Sequence, residues 1–296
     1  MIAVDWGTSS LRAYRIDADG VVKDRRRADV GALDCNGRHA DVLAQCIDNW
    51  DDDRIVACGT IGTRDAWCET PYLQCPVDAA ALAAALQRVD VSGTPLHDRT
   101  IDIVPGVIDR AGAVADVMRG EETQIVGLLE GMRVPDALVC LPGTHSKWVA
   151  LRDGAIVSLR TAMTGETYAL YRRHSILARS LAPEDGEPDG TSFDTGLRRS
   201  GDAGDLLHHV FGVRTQSLVG ELAPAQASSW LSGLLIGHEI RAMLPLPPRV
   251  HVIGSARLGA LYAHALASFG VETQLHAEDL AAAGMHALAM RSRQTQ

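Results

Sequence analysis

Two short turns carry residue types that can hold phosphate. Asp5-Trp6-Gly7-Thr8-Ser9-Ser10 follows the apolar run Ile2-Ala3-Val4, and Pro142-Gly143-Thr144-His145-Ser146-Lys147 follows Ala137-Leu138-Val139-Cys140-Leu141. A backbone that bends sharply at glycine exposes N–H groups, and adjacent hydroxyls add donors, so such a turn can cradle a phosphate. One such turn is ordinary hairpin chemistry. Two at corresponding places point to loops that close on one polyphosphate from opposite sides. The candidate phosphate contacts are Gly7, Thr8 and Ser9 in the first turn and Gly143 and Thr144 in the second. His145 and Lys147 flank Thr144, where each either touches phosphate or lines the loop. Asp5 ends its strand directly before the first turn. A carboxylate there holds Mg²⁺, directly or through water, or else accepts the N–H groups of the turn. The second copy has Leu141 at that place, an asymmetry that suits a site with one metal-binding carboxylate.

The third candidate is Met118-Arg119-Gly120-Glu121-Glu122-Thr123-Gln124, which opens a helix whose Ile125, Leu128, Leu129 and Met132 face a core. Acids in a first helical turn complement the helix dipole. The alternative is a general base that takes the proton from a substrate hydroxyl. Successive helix positions point about 100° apart, so one of Glu121 and Glu122 faces the acceptor.

Other chemistries fail on inspection. The chain has no G-x-x-x-x-G-K-[ST] and no G-x-S-x-G, which removes a P-loop and a hydrolase elbow. His238-Glu239 is not a zinc-protease helix, because Ala242 stands where the second histidine is needed. His208-His209 is an isolated pair that reads as surface or packing. Six cysteines show no zinc-like spacing, and Cys46, Cys58 and Cys140 sit in apolar surroundings as small core residues.

The elements that must position these residues form an internal repeat. A shift of 136 places Gly7 on Gly143, Thr8 on Thr144 and Ser10 on Ser146. Each copy reads strand, Gly-Thr turn, strand, hairpin at Asp19-Gly20 or Asp153-Gly154, third strand, then helices. Between the copies the pattern predicts helices over 40–50 and 79–89, with a strand over 54–58 that ends in Gly59-Thr60-Ile61-Gly62-Thr63. After the second copy it predicts a helix over 166–181, a polar loop over 183–190 and a long apolar helix over 225–243. In that helix Gly233 and Gly237 permit close approach of another helix or a ligand. A strand over 250–253, the turn Gly254-Ser255 and a helix over 258–269 follow. The expected domains are 1–115 and 116–296, meeting across a packed hinge.

The totals set outer limits. The 296 residues are 46% apolar, enough for a full core, and 22% charged. A net charge of −9 argues against a nucleic-acid binder, whose affinity rests on clustered cations. The basic run Arg25-Arg26-Arg27, flanked by Asp24 and Asp29, reads as a solvated strand or turn. No run approaches the ~18 apolar residues of a membrane span, and the N-terminus lacks a signal-peptide pattern. A soluble cytoplasmic protein is the expectation; a homodimer is admitted without being specified.

Together these segments resemble the 2-dehydro-3-deoxygalactonokinases, within the actin–hexokinase–Hsp70 superfamily. The match is carried by MRGEETQ at 118–124, LPGTHSKWV at 141–149, MTGE at 163–166 and LSGLLIG at 231–237, together with Asp5-Trp6-Gly7-Thr8. The resemblance implies an α/β fold of two ribonuclease-H-like domains (the actin-like ATPase fold) with ATP in the cleft between them. The implied reaction transfers phosphate from ATP to the 6-hydroxyl of 2-dehydro-3-deoxy-D-galactonate, in galactonate breakdown. It places Gly254 and Ser255 near the adenosine and the catalytic carboxylate, Glu121 or Glu122, about twenty residues before the second turn. Sugar kinases of the superfamily generally have Asp there, whereas Glu is similar to the exopolyphosphatase branch, where water is the nucleophile. A phosphohydrolase of the same fold, or a nucleotide-driven binding module, is therefore the alternative reading. A sugar-acid carboxylate needs a cation, with Arg12, Arg64 and Arg119 the candidates beside the motifs, and Glu166 of MTGE is a further candidate substrate contact.

Overall fold

The computed structural model describes residues 1–132, 136–183 and 186–294. In chain order, β1 (Ile2–Trp6), β2 (Leu11–Ile16) and β3 (Val22–Ala28) form the opening meander, followed by α1 (His39–Cys46) and β4 (Arg54–Cys58). Then come β5 (Tyr72–Gln74), α2 (Ala79–Ala84), β6 (Gln87–Arg88), β7 (Thr100–Ile103), β8 (Gly106–Asp109), β9 (Asp116–Met118) and α3 (Glu121–Gly131). The second copy supplies β10 (Ala137–Leu141), β11 (Ser146–Arg152), β12 (Ala155–Ala162) and α4 (Thr164–His174). It continues with α5 (Gly190–Arg199), α6 (Leu206–Val210), α7 (Gly212–Leu218) and α8 (Pro224–Ala242). The chain closes with β13 (Arg249–Ile253), α9 (Ala256–Ala267), β14 (Glu272–His276) and α10 (Leu280–Gln294).

The repeat read from the turns is present as a repeated sheet. The first runs β3-β2-β1-β4-β7 with β6 on its edge, and the second runs β12-β11-β10-β13-β14. Counted within each copy, with the short β5 and β6 set aside, both orders are third, second, first, fourth, fifth in chain order. β1 is antiparallel to β2 and parallel to β4, which is parallel to β7. In the second sheet β13 is parallel to both β10 and β14. β1 can be central because Ile2, Ala3, Val4 and Trp6 are all fully buried; a strand covered on both faces reads as a continuous apolar run. β3 can be an edge because it is charged: Arg25 pairs with Asp279, Arg27 with Asp29, and Arg26 lies 4.7 Å over Trp50.

A third sheet, β5-β8-β9, was not legible in the sequence. Its strands have three or four residues, too few to show an alternating pattern. The helix expected over 79–89 stops at Ala84, and Gln87–Arg88 pairs with β7 instead. The helix expected over 166–181 starts at Thr164 and stops at His174, with a 3₁₀ turn after it. Of the polar loop at 183–190, residues 184 and 185 lie outside the described residues. Cys58 and Cys140 are core residues as expected, whereas Cys46 is half-buried and Cys35 and Cys75 are buried too.

The chain divides into two compact units, Met1–Ala137 with Val149–Arg160 and Ala277–Gln296, and Leu138–Trp148 with Thr161–His276. The boundary expected at 115 and 116 therefore falls inside the first unit. The reason is packing that sequence order does not reveal: α10 returns to lie against α3. A Cβ on Gly127 would stand 2.1 Å from the Leu280 carbonyl oxygen, and one on Gly284 1.8 Å from that of Thr123, so the two backbones touch. In the second unit α5 and α8 meet in the same way. Cβ atoms on Gly196 and Gly233 would stand 2.0 Å from the carbonyls of Trp230 and Phe193 respectively. The glycines noted in α8 thus serve helix–helix contact, Gly237 lying against Ser200. Each unit has its own core: Ile2, Trp6, Leu11, Leu43 and Ile55 are among its residues in the first, and Trp148, Phe193, Val252 and Tyr262 in the second.

Candidate active site

The first Gly-Thr turn connects β1 to β2. Gly7 donates its N–H to the Ser10 carbonyl at 3.0 Å and accepts from Ala32 N–H at 2.9 Å, which leaves Thr8 and Ser9 exposed at the tip. Asp5, one residue from the end of β1, keeps 26% of its side chain exposed. Arg12 approaches it at 3.8 Å and is itself bonded to Glu278 at 2.9 Å. Surrounding protein pushes the Asp5 carboxyl above the usual carboxylate range; Arg12 opposes that rise and Glu278 adds to it.

Bare backbone borders this carboxylate. Gly59, at φ +93°, has no room for a Cβ, which would stand 2.8 Å from the Trp6 carbonyl oxygen and 3.5 Å from Asp5 Oδ1. Gly120, at φ +112°, comes so close that its Cβ would be 3.2 Å from Gly59 Cα. Both positions need glycine's left-handed freedom. Among the described residues no group of three or more His, Cys, Asp or Glu forms a metal cluster. Asp5 is a single oxygen-donor carboxylate of the kind that could serve a hard cation.

Gly120 starts α3, and the two glutamates after it separate. Glu122 is fully buried, with both carboxylate oxygens accepting from Gly120 N–H at 2.8 and 2.7 Å. Burial first, and the charge of Glu121 second, push its carboxyl up to about 8. Glu121 is half-buried, with Oε2 accepting from the Arg119 backbone N–H at 3.1 Å.

The three arginines considered for a substrate carboxylate are differently engaged. Arg12 bridges Asp5 and Glu278. Arg119 stacks over Tyr72 at 4.2 Å and donates to Thr70, to its carbonyl at 3.0 Å and to its hydroxyl. Arg64 is 81% exposed beside Glu69 at 3.4 Å. The third sheet, unseen in the sequence, supplies Tyr72 for that stack and ends at Met118, just before Arg119-Gly120.

The second Gly-Thr turn, between β10 and β11, is braced by the start of α4. A Cβ on Gly165 would stand 2.3 Å from the Gly143 carbonyl oxygen. Glu166 N–H donates to the Thr144 carbonyl at 2.9 Å, and the Glu166 carboxylate contacts His145 Nε2 at 2.5 Å. The MTGE segment thus packs on the turn itself. Lys147 is buried, donating to Thr161 Oγ1 at 2.9 Å. Ser146 Oγ lies 2.9 Å from Tyr262 Oη.

Beneath the turn lies a residue that sequence reasoning passed over. Glu239 of α8 is 5% exposed and accepts from Trp148 Nε1 at 2.7 Å, Tyr262 Oη at 2.6 Å and Thr164 Oγ1. Burial pushes its carboxyl up, against the pull of these bonds. The available signal was a glutamate inside the apolar helix predicted over 225–243.

A cavity of about 310 Å³ opens beside this turn, with Gly143 and Gly165 in its wall and Leu235, Ile236, Leu258 and Leu261 as its apolar lining. That size and lining suit a small organic ligand. Gly254 and Ser255 connect β13 to α9; Ser255 Oγ caps the helix by accepting from Leu258 N–H at 3.4 Å. Gly254 lies 3.6 Å, measured from its would-be Cβ, from the ring of Pro142.

The family model described as 2-keto-3-deoxy-galactonokinase matches residues 5–288. The chain is 36% identical to the probable 2-dehydro-3-deoxygalactonokinase of Rhizobium meliloti (strain 1021), over 97% of this chain and 95% of that one. It is 33% identical to the 2-dehydro-3-deoxygalactonokinase of Escherichia coli (strain K12), over 97% of each. A crystal structure from Sinorhizobium meliloti assigned to the same kinase superposes with a TM-score of 0.89 at 36% identity, covering 97% and 95%. The activator of 2-hydroxyisocaproyl-CoA dehydratase from Clostridium difficile, solved with bound ADPNP, superposes at 0.55 with 10% identity over 100% and 96%. That distant likeness shows the shared actin-like ATPase fold. With its repeated sheets, its paired turns and a family match over nearly its whole length, the chain belongs to the 2-keto-3-deoxy-galactonokinase family.

Proposed function

We propose that the protein is an ATP-dependent kinase that phosphorylates the 6-hydroxyl of 2-dehydro-3-deoxy-D-galactonate, in galactonate breakdown. The observation that carries this reading is the pair of Gly-Thr turns at equivalent places on two sheets of the same strand order, in a chain of this family. The curated relatives named for this activity are matched over 97% of the chain. A cytoplasmic location fits such an activity, since ATP is supplied there, and no described helix is long and apolar enough to cross a membrane.

In this reading the exposed Thr8 and Ser9 are the phosphate donors of the first unit, with Gly7 shaping their bend, and the Gly143-Thr144 backbone is the phosphate contact of the second. The apolar cavity next to Gly143 and Leu258 takes the adenosine, with Gly254 and Ser255 at the adjoining turn. Asp5 is the residue that would hold Mg²⁺, which when bound neutralises phosphate charge. Glu121 accepts the proton of the 6-hydroxyl on a carboxylate oxygen as the substrate's 6-oxygen bonds to the γ-phosphorus and the bond from that phosphorus to the bridging oxygen breaks, with ADP as the leaving group. Glu122, with no exposed surface, braces Gly120 instead. Among the three arginines, Arg64 is the freest to turn toward a carboxylate, bidentate contact being the form that suits it. Glu166 supports His145 and the second turn.

A coupled assay for ADP release tests the proposal. With 2-dehydro-3-deoxygalactonate added, ADP should appear together with a 6-phosphorylated product, at a rate far above that with ATP alone. Equal ADP release with and without acceptor would replace the kinase by a water-using phosphohydrolase.

A further inference from the structure

We propose that Glu239 is the positioning residue of the second phosphate turn, a buried anchor that fixes the turn and the adjoining cavity wall in their nucleotide-holding geometry. The inference rests on the reading of that turn as a nucleotide site and extends it to a residue outside every motif.

The position is otherwise apolar. On α8, Trp230, Leu231, Leu234, Leu235, Ile236 and Ile240 are buried alongside it. A carboxylate in such a place costs several kcal/mol of lost hydration unless donors surround it. Here they come from three further elements. Trp148 belongs to β11, the strand that leaves the turn, as does Ser146, whose Oγ lies 2.9 Å from Tyr262 Oη. Thr164 is the first residue of α4, and the next residue, Gly165, lies against the Gly143 carbonyl. Tyr262 is on α9 and, like Thr164, lines the cavity. One acceptor-only group therefore ties together the exit of the turn, the helix that braces it and the cavity wall.

The donor set explains why the group is a carboxylate. The indole N–H of Trp148 can only donate, and an ionised carboxylate offers about four acceptor sites. A glutamine has the same shape, but its NH₂ would face groups whose protons already point at it. The hydroxyls of Thr164 and Tyr262 would have to turn, and the turn would lose its registration with α4 while the core stayed filled.

The test compares wild type with E239Q by calorimetric binding of AMPPNP, by KM for ATP and for the sugar acid separately, and by Tm. Hydrogen bonds to a charged group are among the stronger ones, so AMPPNP affinity should fall about tenfold or more and KM for ATP should rise in step. KM for the sugar acid should stay within about twofold. T164V, which removes a single donor, should show the same split at smaller size, and E239Q/T164V should be no worse than E239Q alone. If E239Q fails to fold, T164V and Y262F carry the same comparison. A lower Tm with wild-type AMPPNP affinity and unchanged KM for ATP would reduce Glu239 to a stability residue and overturn the proposal. A wild type that binds no AMPPNP would instead bring down the nucleotide-site reading, and this inference with it.

Discussion

The two Gly-Thr turns begin from nearly the same residues and end in different surroundings. In the first unit the carboxylate stands in front of the turn: Asp5 is partly open to water, with Arg12 beside it and bare glycine backbone around it. In the second unit that place is Leu141, which is buried, and the carboxylate lies behind the turn, at Glu239, sealed under the donors of Trp148, Tyr262 and Thr164. At the first turn the charge is partly open to solvent; at the second it is enclosed. The duplicated element thus differs in where its carboxylate sits relative to the same bend of backbone.

The comparison can be broken most sharply on the first unit. E121Q should lower kcat by roughly 10³-fold, within the range for loss of a general base, with Tm close to wild type, since the side chain is half-buried at a helix start. A loss under tenfold would remove Glu121 from the reaction. D5N should cost roughly 10²–10³-fold in kcat, the scale on which a charge clamp on a transferring phosphoryl group is felt. Near-normal turnover would end the role given to Asp5.

A smaller effect sharpens the electrostatics around Asp5. Burial holds its carboxyl above the usual range and Arg12 pulls it back down. Because Asp5 must be ionised to act, activity should decline as pH falls through this raised value. R12M removes the opposing charge, so the acidic limb of kcat/KM should move to higher pH. E278Q should move it to lower pH, because Glu278 adds to the rise. Limbs that stay put in both variants would separate Asp5 from the titration.

The smallest effect concerns stability. The Glu122 carboxyl is raised from 4.5 to about 8 in the folded protein, so folding favours its neutral form. The stability it contributes is fully present below the ordinary value of 4.5 and is lost as pH rises through about 8. E122Q stays neutral throughout and can still accept from Gly120 N–H. Its Tm should therefore gain on wild type as pH rises from 5 to 9, by several degrees, while its kcat stays within about threefold. A constant Tm difference across that range would show that the buried carboxyl does not titrate there.

Much of the architecture was legible because it is written locally. The strand, Gly-Thr turn, strand and hairpin of each copy depend on residues within reach of one another: an apolar run, a glycine at the bend, Asp-Gly at the hairpin. The pairing of Asp5 with Leu141 could be read the same way, by aligning two segments. Short strands such as Tyr72–Gln74 escaped because three residues have no period. The domain boundary escaped because α10, the last helix, packs on α3 through Gly127 and Gly284. Lys147, set beside the turn by its number, lies buried against Thr161, because alternate residues of a strand point to opposite faces.

The sequence by itself determined that this protein has two Gly-Thr turns in a repeated α/β frame, and which acidic residues lie near them in the chain. The tertiary structure decided how those acids are placed and solvated. Glu121 and Glu122 are adjacent and chemically alike, and burial alone tells them apart. Glu239 lies 75 residues after Thr164 and 91 after Trp148, and no local rule connects them. The reason is range: turn and strand signals act over a few residues, whereas the solvation of a carboxylate depends on every chain segment that closes around it.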